Sequence, residues 1–177
     1  MPTTVTSKPT ANTTGGTTAP TNMANAYDLS VNDTTTYAQC LAVATTAAKS
    51  SVLTVKTIPT MGAQTWNSKK IKYNFSIPTY VDNGNGANAS VQLSLDGGST
   101  FTSGTNNYFA LQSSTIQDSF TVPTSQDDTL IQVKFSATAG SDSGSGDSIQ
   151  MNVYDVWLEG IYGMSSGGKK AIGASAS

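Results

Sequence analysis

The sequence predicts an all-β chain, an antiparallel β-sandwich or jelly-roll-like domain carrying an extended low-complexity N-terminal arm and a C-terminal tail. Three observations predict it. The chain is crowded with Thr, Ser, Asn and Gly, which are poor helix formers, and Thr favours a pleated surface. From Val52 onward apolar and polar residues alternate at the period of a half-buried strand. Clusters of Gly, Asn and Asp separate these runs and leave no room for long helices.

Taken in order, residues 1–26 are almost all Thr, Ala, Pro, Asn and Gly, too poor in large apolar groups to repay backbone ordering alone. They read as an arm that is disordered in isolation and ordered by neighbouring subunits. Residues 27–49 read as a connector, with two options open. Asn32-Asp33 before Thr34 fits the cap of a helix through Tyr37, Cys40, Leu41, Ala44 and Ala48, while Tyr37 to Val43 equally fits a strand.

Residues 50–163 form the expected domain. Its runs are Val52–Ile58, Ile71–Ile77, Val91–Leu95, Tyr108–Leu111, Ile116–Val122, Leu130–Phe135 and Ile149–Leu158. Asp96-Gly97-Gly98-Ser99-Thr100 reads as a turn whose glycines supply positive φ. The expected core comprises Val55, Tyr73, Phe75, Val91, Leu93, Phe120, Val133, Phe135, Ile149, Met151, Val153 and Trp157. Residues 164–177 read as a Gly/Ser/Ala-rich tail.

Composition excludes much chemistry. The chain has no histidine and no arginine, a single cysteine (Cys40) and a single glutamate (Glu159). Without His, the side chain that titrates near neutrality and the commonest zinc ligand are missing. Without Arg there is no bidentate fork for phosphate or guanine. A net charge of −2 gives no footprint for nucleic acid or an anionic membrane. The N-terminal residues contain no apolar signal core and no membrane span, so neither export nor membrane insertion is expected. Cys40 has no disulfide partner and reads as a small buried hydrophobe.

Residues with a possible chemical role have structural readings beside them. Val81-Asp82-Asn83-Gly84-Asn85-Gly86 and Ser141-Asp142-Ser143-Gly144-Ser145-Gly146-Asp147 offer oxygen ligands suited to calcium, but neither has the spacing or closing Glu of an EF-hand loop. Turns use the same residues. Asp118 and Asp155 stand out as aspartates inside strands, and two carboxylates flanking a sugar would make a glycosidase pair. Strict alternation puts Asp155 beside Val153 and Trp157, so it is either buried and hydrogen-bonded or displaced by a bulge. Trp66, Tyr80, Tyr108, Phe109, Tyr154 and Tyr162 suit either a sugar-stacking platform or an interior. No Ser-His-Asp or Cys-His constellation is possible. The reading is therefore no enzyme, with no catalytic, cofactor or metal residue assigned.

Ile149-Gln150-Met151-Asn152-Val153-Tyr154-Asp155-Val156-Trp157-Leu158-Glu159-Gly160 resembles the last strand of jelly-roll carbohydrate-binding modules. Val91-Gln92-Leu93-Ser94-Leu95-Asp96-Gly97-Gly98-Ser99-Thr100-Phe101 resembles hairpins of phage virion proteins and bacterial surface modules. With the arm and tail, the chain resembles an auxiliary virion protein of a tailed bacteriophage, of the capsid decoration, cement or head and tail fibre type. The resemblance implies a structural virion protein, assembled in the host cytoplasm as a homo-oligomer, whose partners are the major capsid protein or other virion subunits. The alternative is a module binding carbohydrate or a host receptor, with Tyr108, Tyr154 or Trp66 stacking on glycan.

Overall fold

Strands with one apolar side need a second surface to cover it. The computed structural model provides this with ten strands in two antiparallel sheets that share one core. The structure describes residues 1–27, 31–140 and 146–163. The strands are β1 (Thr3–Ser7), β2 (Ala11–Gly16), β3 (Ala38–Val43), β4 (Lys49–Lys56), β5 (Trp66–Val81), β6 (Asn88–Ser94), β7 (Gly104–Tyr108), β8 (Gln112–Val122), β9 (Gln132–Ala139) and β10 (Ser148–Tyr162). The helical elements among the described residues are short 3₁₀ turns at Met23–Ala26 and Asp128–Leu130.

One sheet runs β10-β5-β8, with β1 and β3 lying end to end along the other side of β10. The second runs β2-β4-β9-β6-β7. Leaving β1 and β2 aside, the strands pair as one nested hairpin: β3 with β10, β4 with β9, β5 with β8 and β6 with β7. Successive nested pairs alternate between the sheets. Gly97 and Gly98, with φ of 73° and 89°, make the tight turn after β6 that the sequence predicts.

Leu53, Val55, Tyr73, Phe75, Val91, Leu93, Val133, Phe135, Ile149, Met151 and Val153 are fully buried in one cluster drawn from both sheets. The Tyr73 ring stands edge-on to Phe135 across the interface, centroids 5.7 Å apart. Burying each such side chain contributes about 1.5–3 kcal/mol. Every expected core residue is buried, but Trp157 belongs elsewhere. A bulge pairs Val153 with Phe75 and Asp155 with Asn74, leaving Tyr154 as the extra residue. Val153 and Val156 thus face the shared core, while Asp155 and Trp157 fall on the other face of the sheet. Trp157 is 2% exposed yet lies outside the inter-sheet cluster.

Within residues 1–26, β1 lies on β10 and β2 on β4 of the same chain. The ladder supplies hydrogen bonds that composition does not reveal, and Lys8 forms an ion pair with the buried Asp155 at 2.5 Å. In the 27–49 connector the strand alternative is realised, as β3. Instead of capping a helix, the Asp33 carboxylate accepts the backbone N–H groups of Thr35 and Thr36 and closes a turn. β3 and the start of β4, which precede residue 50, belong to the sheets. The 164–177 tail lies outside the described residues.

Candidate functional site

β7 and β8 are the last strands of their respective sheets and lie on the same flank, joined by Phe109-Ala110-Leu111. No strand lies beyond either of them among the described residues, so their outward N–H and C=O groups form a template for pairing. Natural edges are commonly blunted by Lys or Pro. Neither residue occurs in Gly104–Tyr108 or Gln112–Val122. At the connecting corner Phe109 is 61% and Leu111 54% exposed.

The one charged residue on these strands, Asp118, is turned inward. Its Oδ2 accepts from the Tyr108 hydroxyl at 2.7 Å and from Asn106 Nδ2 at 3.0 Å. Tyr73 and Tyr108 hydroxyls share a hydrogen bond of 3.1 Å, and Asn106 Nδ2 reaches the Tyr73 oxygen at 2.8 Å. The cluster ties β7 of one sheet to β5 and β8 of the other. Burial pushes the Tyr73 phenol up to about 12. Burial, then the hydrogen bond with Tyr73 and the neighbouring Asp118, pushes Tyr108 higher still. Both phenols therefore stay protonated as donors, and the cluster acts as a brace between sheets.

The Asp118–Asp155 pair does not form a catalytic site. Asp155 lies in the row Asp155–Asn74–Gln117, while Asp118 lies in the adjacent row Val156–Tyr73–Asp118, on the opposite face of the sheet. They cannot flank one sugar ring. Asp155 Oδ2 instead accepts the N–H groups of Asn32 (2.6 Å) and Asp33 (3.3 Å). Asn74 donates to Asn32 Oδ1 and Asp33 O, pinning that loop over the sheet. Burial outweighs Lys8 and these bonds, so the Asp155 carboxyl titrates above its ordinary value.

The aromatic residues do not gather into one platform. Trp66 and Tyr162 make an edge-on pair at 5.6 Å at one end of β5 and β10, whereas Tyr80 sits opposite Ile149 at the other. The Tyr154 hydroxyl meets Ser76 Oγ at 3.1 Å and its ring meets Tyr37. Burial drives the Cys40 thiol up to about 12, which makes it a core hydrophobe without thiolate chemistry.

The two calcium-type loops do meet. Asn83 N–H donates to Asp147 Oδ1 at 2.8 Å, and Asn83 Nδ2 donates to Gly146 O at 3.0 Å. Residues 141–145 of the second loop lie outside the described set. Among the described residues no three His, Cys, Asp or Glu side chains come together in a metal-binding group, and no helix is long and apolar enough to cross a membrane.

Sequence reasoning missed the inter-sheet brace and the Lys8–Asp155 pair. The inward strand position of Asp118 was a signal for the first. Nothing local marks Lys8. No protein-family model, curated protein or solved structure matches the chain.

Proposed function

We propose that the protein is a non-catalytic structural subunit of a bacteriophage virion, decorating or cementing the capsid, and that copies join through the β7–β8 flank. The observation that carries this reading is the β7–β8 corner. β7 and β8 are terminal strands of their sheets without Lys or Pro, and Phe109 and Leu111 are exposed between them. Strand addition at such an edge draws affinity from main-chain hydrogen bonds, and a two-fold pairing of β8 with β8 closes on itself.

The nested pairing supports a finer fold assignment. Eight strands in two sheets ordered β3-β10-β5-β8 and β4-β9-β6-β7 fit a jelly roll, an architecture of viral capsid and lectin domains. The absence of histidine and arginine favours a mechanical role over a catalytic one. In this reading the domain seats on the major capsid protein and adds buried contact area between capsomers.

Sedimentation velocity of the full chain tests the flank directly. Concentration-dependent association is expected up to ~100 µM, and Ser114→Lys on β8 weakens it at least tenfold. A monomer throughout that range, unaffected by Ser114→Lys, overturns the assembly reading. The virion setting is tested by adding the protein to phage shells that lack it. Saturable attachment supports the setting, while no attachment together with saturable binding on a glycan array replaces it with the carbohydrate-binding alternative.

A further inference from the structure

Lys69, near the start of β5, and Asp128, at the head of the second 3₁₀ turn, form an ion pair whose two side chains are only 2% and 3% exposed. Taking both charges out of water is costly, and their attraction offsets the cost only where the geometry is good and the remaining protons and lone pairs are satisfied. That condition is not met. Lys69 Nζ lies against Asp128 Oδ1, yet Oδ1 accepts no hydrogen bond. The amine touches the carboxyl group without the alignment of a donor.

The neighbours hold both groups in a pose that suits a different step. Lys69 Nζ donates to Gln126 O at 2.7 Å, and Gln126 is itself fixed through Nε2 to Leu95 O at 2.8 Å. The second carboxylate oxygen, Asp128 Oδ2, accepts the Met61 N–H at 3.0 Å. An N–H placed there stabilises the negative charge that Oδ2 gains when a nucleophile adds to Cγ. Holding an amine against a carboxyl group replaces a high concentration of one about the other, with effective molarities of roughly 10⁵–10⁸ M in well-oriented pairs. In solution, hydration of the free ions opposes their condensation; a pair this deeply buried lacks that hydration.

We propose that Lys69 and Asp128 condense after folding into an intramolecular amide that ties β5 to the β8–β9 connection. One ammonium proton passes to Oδ1, which frees the Nζ lone pair. Nζ then attacks Cγ, forming the C–N bond and moving a carbonyl electron pair onto Oδ2. Collapse restores the Oδ2 carbonyl and breaks the Cγ–Oδ1 bond, and Oδ1 leaves as water with a second proton from Nζ. Both charges are lost, one water is released, and nothing is oxidised or reduced.

Intact-mass spectrometry of the full chain, folded at neutral pH and then denatured, tests the proposal. After allowance for removal of Met1, most molecules should fall short of the sequence mass by one water. Lys69→Arg keeps a cation but removes the amine nucleophile, and should restore the full mass. A tryptic digest of the wild-type protein reads the same bond without any variant: cleavage after Lys69 should be lost, and the peptides carrying Lys69 and Asp128 should stay joined under denaturing conditions. A wild-type chain at full sequence mass overturns the proposal. So does a one-water deficit that persists in Lys69→Arg, or a digest in which Lys69 is cleaved and Asp128 lies in a linear peptide.

Discussion

On the flank built by the terminal strands β1, β2 and β3, the lock is a charge: Lys8, between β1 and β2, reaches the buried Asp155 on β10. On the flank built by the terminal strands β7 and β8, the lock is the neutral-donor brace of Tyr73, Tyr108 and Asn106 around Asp118, and Phe109 and Leu111 are exposed at the corner. The difference teaches how a chain so poor in charge uses its few ions. The ion pairs fasten strands internally, and β7 and β8 carry no lysine that would repel a partner strand.

The largest expected effect breaks the first lock. Lys8→Ala strands a buried carboxylate and should destabilise the fold by about 3–5 kcal/mol at pH 7, measured by urea denaturation. The pH dependence follows from the raised Asp155 pKa. A carboxyl that binds its proton more tightly when folded favours folding below the unfolded value near 3.8, and that contribution is lost as pH rises through the higher folded value. Protonated Asp155 needs no cation, so the cost of Lys8→Ala should shrink towards pH 4. A cost that is constant with pH would show that Lys8 acts by packing alone.

On the β7–β8 flank, Gly104→Ala places a Cβ 2.7 Å from a ring carbon of the buried Phe120. Displacing that ring should cost about 1–3 kcal/mol, with loss of amide protection along β7. Tyr108→Phe removes one donor from Asp118 and keeps the ring packed on Phe75 at 4.5 Å. About 1–2 kcal/mol is expected from the same denaturation series, less than the charged lock on the other side. Smallest in folding terms is Leu111→Ser, which should change stability by no more than about 0.5 kcal/mol while reducing self-association. Unchanged association would remove Leu111 from the interface.

The domain was legible where side chains repeat at the strand period. Ile71–Ile77 falls within β5, Val91–Leu93 within β6 and Ile149–Leu158 within β10, and their inward residues are buried. Short runs were less reliable: Tyr108–Leu111 reads as a strand, but β7 ends at Tyr108 and the next residues cross between sheets. The N-terminal strands were illegible because Thr, Gly and Asn carry no burial signal, and their register is imposed by β4 and β10. The Asp155 ambiguity resolves both ways at once, since a bulge turns the residue outward and a loop with Lys8 buries it there. The β7–β8 edge was invisible, because whether a strand is an edge depends on which strands lie beside it.

The nested pairing also constrains the order of events in folding. β6 and β7 close across a short turn, Leu93 facing Gly104, whereas β3 waits for a strand on the far side of the chain, Val43 facing Ser148. Closure entropy grows with that separation, so the inner hairpin is the natural nucleus and the outer pair zips last. β10 is the shared neighbour of β1, β3 and β5, yet it is the last of the described strands to leave the ribosome. Until it emerges, the early strands hold exposed edges in a crowded cell, and refolding in vitro should be slow and sensitive to protein concentration for the same reason.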